Sequence, residues 1–338
     1  MSKPHYFLLP CLLALHWPVA GQAPLSFELV TYKVLDAAHH IPAFGGISSI
    51  ERSADGFVLL SDHYRDGRSY LFMLDDSLGI EPATQAPDLA DVESFRSNTH
   101  TGIHAYTFEG KKHTGLFTIK YLLHKNPVYD TLVLETLPGR QTTDNRGIEA
   151  LAFAADSSLW MAFESGGDTN CSSSSLPFRR YNYDRIAQQY SADDFTAYTY
   201  PFDPCTCTAT KNGARFNGWV GNGVSEILFL PGSSDRLLVL ERCFDGQTGH
   251  VVLWLATIHP GSNTLSKEAV FDFNHSLFEG FIPDNLEGMC WGKEEQGHPV
   301  LYLVSDDNYR PGRQQTQLLQ LRMKVFRTHK TNVRRNPY

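Results

Sequence analysis

The stretch "NLEGMCWGKEEQGHPVLYLVSDDNY", residues 285–309, sets Glu287 at the opening of one apolar run and Asp306 and Asp307 at the close of another. Both runs are short, and neither shows the three-to-four-residue period of a helix. They read as two strands joined by a polar turn. The same layout recurs in "GGISSIERSADGFVLLSDHY" from Gly45, "RGIEALAFAADSSLWMAFES" from Arg146 and "GVSEILFLPGSSDRLLVLER" from Gly223. Each time a first strand begins at a Gly or an acid, a polar turn follows, and a second strand ends on Ser, Asp or Glu. No stretch of a dozen residues holds a helical period, so the chain reads as all-β.

Repeated strand pairs of this kind point to a single β-propeller. With Asp62, Glu164, Glu241 and Asp306 taken as matched strand ends, the first interval is too long for one blade of roughly 40 to 50 residues. It has room for a degenerate blade whose strands read "HAYTFEG", "GLFTIKYLL" and "DTLVLETL", between His104 and Leu137. "HVVLWLATI" and "EAVFDF" suggest another blade in the third interval. Six blades is the expected count, with five or seven open. "FELVTYKVL" near Phe27 and "QLLQLRMKV" near Leu319 are expected to pair in one blade and so close the ring, which removes exposed strand edges.

The chain has 338 residues, 42% hydrophobic and 20% charged, with a formal charge of −8. That balance argues against nucleic acid as a partner, because phosphate binding needs a surplus of Lys and Arg. Residues 1–23 carry Lys3, an apolar run and small residues up to Ala23, which is a signal-peptide pattern. Pro10, His16 and Pro18 interrupt the run, so no integral membrane segment is expected after cleavage, and the mature chain is expected to be periplasmic or secreted. The propeller should span residues 24–325, with a cysteine-bearing loop insertion at about 166–221 and a basic tail at 326–338. Among the cysteines outside the leader, Cys171, Cys205 and Cys207 flank that loop, and a disulfide staple across it is expected.

Taken together and in order, "GGISSI…DGFVLLSD", "GIEALAF…LWMAFES", "VSEILFLP…RLLVLER" and "NLEGMCWG…LYLVSDDNY…QTQLLQL" resemble the phytase-like domain family, exported proteins with an esterase-like activity of phytase. The resemblance runs from about Gly45 to Leu321. It implies a propeller fold, an enzyme-like function and metal binding through repeated acids. The Asp-Asp-Pro-Ala-Ile-Trp type of run found in Ca-dependent propeller phytases does not occur here, which argues against phytate itself as the substrate.

In a propeller the innermost strands line a central channel, so acids near strand ends can converge on one mouth. Glu149, Glu226 and Glu287 are expected at matched first-strand positions, and Asp62, Glu164, Glu241 and Asp306 at matched second-strand ends. Hard oxygen donors in a ring suit Ca²⁺, with another divalent ion open. The expected metal ligands are Asp62, Glu149, Glu164, Glu226, Glu287 and Asp306. The expected catalytic residues are Glu287, Asp306, Glu241 and Arg242. Arg65 and Arg242 are candidate anion forks, and His63 stands beside a terminal acid. The bland alternative is that these acids cap tight turns. Trp160, Trp254 and Trp291 are expected as wedges between blades.

Sequence signatures of serine hydrolases, zinc proteases and nucleotide binders are absent. Three functions remain open. The first is a metal-assisted hydrolase acting on a small anionic ester or phosphoester. The second is a noncatalytic binding propeller with a structural ion, and the third a lactonase-like propeller enzyme.

Overall fold

The computed structural model describes residues 25–38, 40–81, 84–85, 92–109, 113–120, 128–136, 147–164, 174–202, 222–244, 249–275, 281–310 and 312–325. Its strands, numbered in chain order, form five four-stranded antiparallel sheets. Blade one holds β2 (Ile47–Arg52), β3 (Gly56–Ser61), β4 (Tyr70–Asp75) and β5 (Thr84–Gln85). Blade two holds β6 (Val92–Asn98), β7 (Ile103–Glu109), β8 (His113–Lys120) and β9 (Val128–Thr136). In blade three β10 (Ile148–Phe153) is followed by β11 (Leu159–Phe163), β12 (Ser175–Asp184) and β13 (Gln189–Pro201). Blade four comprises β14 (Asn222–Phe229), β15 (Arg236–Phe244), β16 (Gly249–Thr257) and β17 (Ser266–Asp272). Blade five is built from both ends of the chain: β18 (Asn285–Trp291), β19 (Val300–Asp306), β20 (Gln317–Val325) and, outermost, β1 (Leu25–Val34).

The first strands β2, β6, β10, β14 and β18 touch one another in succession and then close back on β2, which makes the inner wall of a five-bladed propeller. Five apolar clusters fill the gaps between neighbouring blades. Trp160 and Trp254 belong to the packing between blades three and four, and Trp291 to that between blades four and five, as expected of wedges. Burial at these interfaces is the main source of stability, at about 25 cal/mol per Å² of apolar surface.

Two contacts close the circle. The expected pairing of the chain ends is present: β1 runs antiparallel to β20 from Leu25↔Val325 to Val34↔Gln317. Further in, blade five meets blade one through glycine. A Cβ on Gly288 would lie 2.9 Å from the Ile50 nitrogen, so only glycine lets β18 approach the β2 backbone this closely. The Gly46 amide, at φ +58°, donates to Asp307 Oδ1 at 2.8 Å, and the Tyr309 ring covers the same glycine. One acid of the "DDNY" run is therefore a latch on the "GG" that opens the first repeat, 261 residues away.

Among the described residues the ring closes on five blades, one of the counts left open beside the favoured six. "HVVLWLATI" and "EAVFDF" are the outer strands β16 and β17 of blade four and not a blade of their own. The supposed loop insertion at 166–221 contains β12 and β13, the outer hairpin of blade three. It buries aromatics on both sides, Phe178 and Tyr200 towards blade four and Tyr181 and Tyr190 towards blade two, while the polar residues of the outermost strand β13 are largely exposed. Cys171, Cys205 and Cys207 lie outside the described residues, and with them the expected staple; Cys243 is disulfide-bonded and Cys290 is a buried free thiol. The leader and the basic tail also lie outside the described residues. No helix among the described residues is long and apolar enough to cross a membrane.

Candidate active site at the channel mouth

Every inner strand carries a β-bulge at the same place. The register slips between Ile47 and Ser49, Val92 and Phe95, Ile148 and Ala150, Val224 and Glu226, and Leu286 and Gly288. A buried aliphatic residue precedes each slip: Ile47, Val92, Ile148, Val224 or Leu286. The residue after it is Ser48, Glu93, Glu149, Ser225 or Glu287. A bulge leaves one residue unpaired and turns its side chain away from the ladder. Where that residue is serine it bonds to the next blade, Ser48 to the Val92 carbonyl at 2.7 Å and Ser225 to the Leu286 carbonyl at 3.0 Å. Where it is glutamate it lines a cavity of about 890 Å³.

The second strands complete the ring. The Asp62 amide bonds to Gly46 O and the Glu164 amide to Gly147 O, while Arg242 faces Gly223 and Asp306 faces Asn285 across the ladder. Asp62, Glu164, Arg242 and Asp306 thus occupy one structural position in four blades, and all four line the cavity with Glu93, Glu149, Glu287 and Asn285. Six of the expected site residues meet here: Asp62, Glu149, Glu164, Arg242, Glu287 and Asp306.

Glu226 and Glu241 do not join them, and the reason is register. Side chains on a strand alternate in direction, so a shift of one residue changes the face. Glu226 follows the bulged residue instead of being it, and it is fully buried. It forms an ion pair with Arg96 and accepts from the Ile227 amide at 2.9 Å and the Leu151 amide at 3.2 Å. Glu241 precedes the ring position that Arg242 holds. It takes Lys267 Nζ at 2.6 Å, Tyr200 Oη at 2.6 Å and Asn222 Nδ2 at 2.6 Å. Both are buried structural ion pairs. Arg65 does not line the cavity, and His63, half exposed, contacts Asp62 through Nδ1.

The electrostatics centre on Arg242. Burial works against its charge, but Glu287, Glu164, Glu149 and Asp306 outweigh this and raise its pKa. Nη2 lies 3.0 Å from Glu287 Oε1 and 3.9 Å from Glu164 Oε1, and Asn285 Nδ2 donates to Glu287 Oε1 at 2.7 Å. Burial pushes Asp306 up to about 7, against the Asn308 amide that donates to Oδ1 at 2.7 Å, and Asp62 and Asp307 push the same way. Glu287 is driven well above the usual carboxylate range, chiefly by burial, despite the pull of Arg242. Neighbours of this kind titrate as a pair, so a proton stays on the pair close to neutral pH.

A divalent ion does not fit this donor set. Arg242 occupies one of the ring positions and supplies the counter-charge, and Arg96 and Lys267 do the same for Glu226 and Glu241. Among the described residues, no group of three or more His, Cys, Asp or Glu side chains stands at metal-holding spacing. One buried polar atom of the cluster, Arg242 Nε, has no hydrogen-bond partner.

Glu93, Asn285 and Arg96 escape a reading from sequence. Glu93 and Arg96 sit on β6, whose polar "VESFRSN" hides its place in the repeat. The signal is the aliphatic residue before the bulge, since Val92 matches Ile47, Ile148, Val224 and Leu286.

A family model described as "Phytase-like: Esterase-like activity of phytase" matches residues 42–309. No curated protein matches. Among solved structures, the catalytic domain of a GH62 α-L-arabinofuranosidase from Coprinopsis cinerea aligns with a TM-score of 0.51 at 10% identity, over 89% of this chain and 97% of that one. An endo-arabinase from Bacteroides thetaiotaomicron aligns at 0.48 and 10% identity, over 85% and 97%. At this identity the first likeness shows a shared fold and nothing of substrate.

Proposed function

The chain belongs to the Phytase-like family, and from that premise we propose that it is a hydrolase of small carboxylic esters working at the channel mouth without a metal ion. The observation that supports this best is the carboxyl pair Glu287 and Asp306, which keeps a proton near neutrality beside a guanidinium in a cavity large enough for a small molecule. Such a pair supplies both an acid and a base. The ionised member takes a proton from water as the water oxygen bonds to the acyl carbon, and the Arg242 guanidinium steadies the charge that develops on the carbonyl oxygen. The acyl C–O bond then breaks, and the protonated carboxyl gives its proton to the departing alkoxide.

Phosphoesters fit less well. Asp62, Glu93, Glu149 and Glu164 surround the pair, and a phosphate dianion placed among them would be repelled without a screening cation. The leader-like residues 1–23 support export to the periplasm or beyond.

The test is a panel of neutral carboxylic esters and phosphate monoesters offered to the purified protein with and without chelator. Turnover of carboxylic esters that chelator leaves unchanged is expected. Turnover of phosphate monoesters alone, abolished by chelator, would overturn the reading, and an inert protein would favour a binding propeller.

A further inference from the structure

We propose that the pocket selects a small ester bearing one anionic group, a carboxylate or a phosphate, remote from the bond to be cleaved, and that Arg310 and Arg313 hold that group at the rim. The claim rests on the hydrolase reading for its reactive end only; anion capture at the rim stands on separate observations.

The cavity is polarised along its depth. Its floor is the acid ring around Arg242, whereas the turn between β19 and β20 places Arg310 and Arg313 on its wall. Both are exposed, and neither guanidinium has an ion-pair partner among the described residues. The turn is braced: the Arg310 amide bonds to Asp307 O at 2.8 Å and the Arg313 amide to Arg310 O at 3.0 Å. Just beyond, Gln315 donates its amide to Asp284 Oδ2 at 2.7 Å, and Gln317 Nε2 donates to Ile282 O at 2.9 Å. These bonds tie the turn to the 281–285 segment on the same wall.

Two unpaired guanidiniums on a braced turn are a preorganised fork for carboxylate or phosphate oxygens. The floor imposes the opposite preference, because carboxylates repel an anion that goes deeper. The pocket field therefore orients a ligand with its charge at the rim and its uncharged ester below. Ile282, 68% exposed, lines the cavity with Pro283 and offers apolar surface to a short linker.

Monomethyl succinate and dimethyl succinate are matched probes that differ by one charge. Calorimetric titration into the wild type is expected to show at least tenfold tighter binding of the monoester, weakened by salt because the contact is exposed. In an Arg310→Gln/Arg313→Gln double variant, checked for folding by its melt, the preference should vanish. Acetoxyethyl phosphate serves as a third probe, and the tighter of the two anions names the group. Equal binding of the two succinates by the wild type, no binding of either, or a preference that survives the double substitution would overturn the proposal. A preference that is present in a protein without turnover would keep the rim assignment and reject the hydrolase reading instead.

Discussion

Asp306 makes the sign of the protein's pH dependence checkable at a single residue. Its folded pKa of about 7 lies above the ordinary 3.8, so the folded state binds the proton more tightly than the unfolded chain does. The stability it confers is fully present below the ordinary value and is lost as pH rises through about 7. Melting temperatures across that window should fall more steeply for the wild type than for Asp306→Asn, which does not titrate; parallel curves would show that the carboxyl is not shifted. Glu287→Gln tests the partner. It keeps the Asn285 contact but loses the charge facing Arg242, and turnover should drop by about 10²–10⁴-fold, the range for a positioned acid or base, in a protein that still melts cooperatively. The neighbouring Asp307 holds the Gly46 amide, so a latch and the proposed reacting acid stand side by side in one dipeptide.

At the scale of the strand, the inner wall explains what was legible. The four repeats, the all-β class and the pairing of the chain ends follow from apolar runs and turn residues, which are local signals. Which acid faces the cavity is not local, because one bulge decides it. Aligning the glutamates by eye groups Glu226 with Glu149 and Glu287, while aligning the buried aliphatics before the bulge puts Ser225 in that group and Glu226 one place on. The same one-residue shift separates Glu241 from Arg242. Glu226 instead joins Arg96, whose Nε donates to Leu151 O at 3.0 Å and Nη1 to Ile50 O at 2.9 Å. Residues from four blades meet in this contact. Glu226→Gln would leave the buried Arg96 with Glu51 Oε2, at 3.3 Å, as its remaining carboxylate and should cost about 1–3 kcal/mol in urea unfolding. A cost within about 0.5 kcal/mol, as for an ordinary surface change, would show that the pair is not what holds the channel wall. Gly288→Ala probes the same wall by crowding β2, at about 1–3 kcal/mol.

At the scale of the molecule, the sequence leaves the blade count open between five and seven because outer strands look alike wherever they lie. The β16–β17 hairpin has the same apolar rhythm as a repeat but lacks the aliphatic-bulge signature of an inner strand, and β12–β13 is polar enough to pass for a loop. Ring closure by β1 makes the five blades one cooperative unit. Leu29 lies in the cluster between blades four and five, so Leu29→Ala should cost about 2–5 kcal/mol in a single transition. An early, separate loss of β1 with the rest intact would show that the closure is not cooperative. The ring also brings acids from four blades to one mouth, and the proposed function rests on that convergence. The most direct test is the pH dependence of kcat/KM on a neutral carboxylic ester, measured in chelator for the wild type and Asp306→Asn. The expected result is a wild-type limb near pH 7 that disappears in the variant together with most of the rate; a variant with the wild-type profile and rate would contradict the assignment of the channel-mouth carboxyl pair as the reacting acid and base.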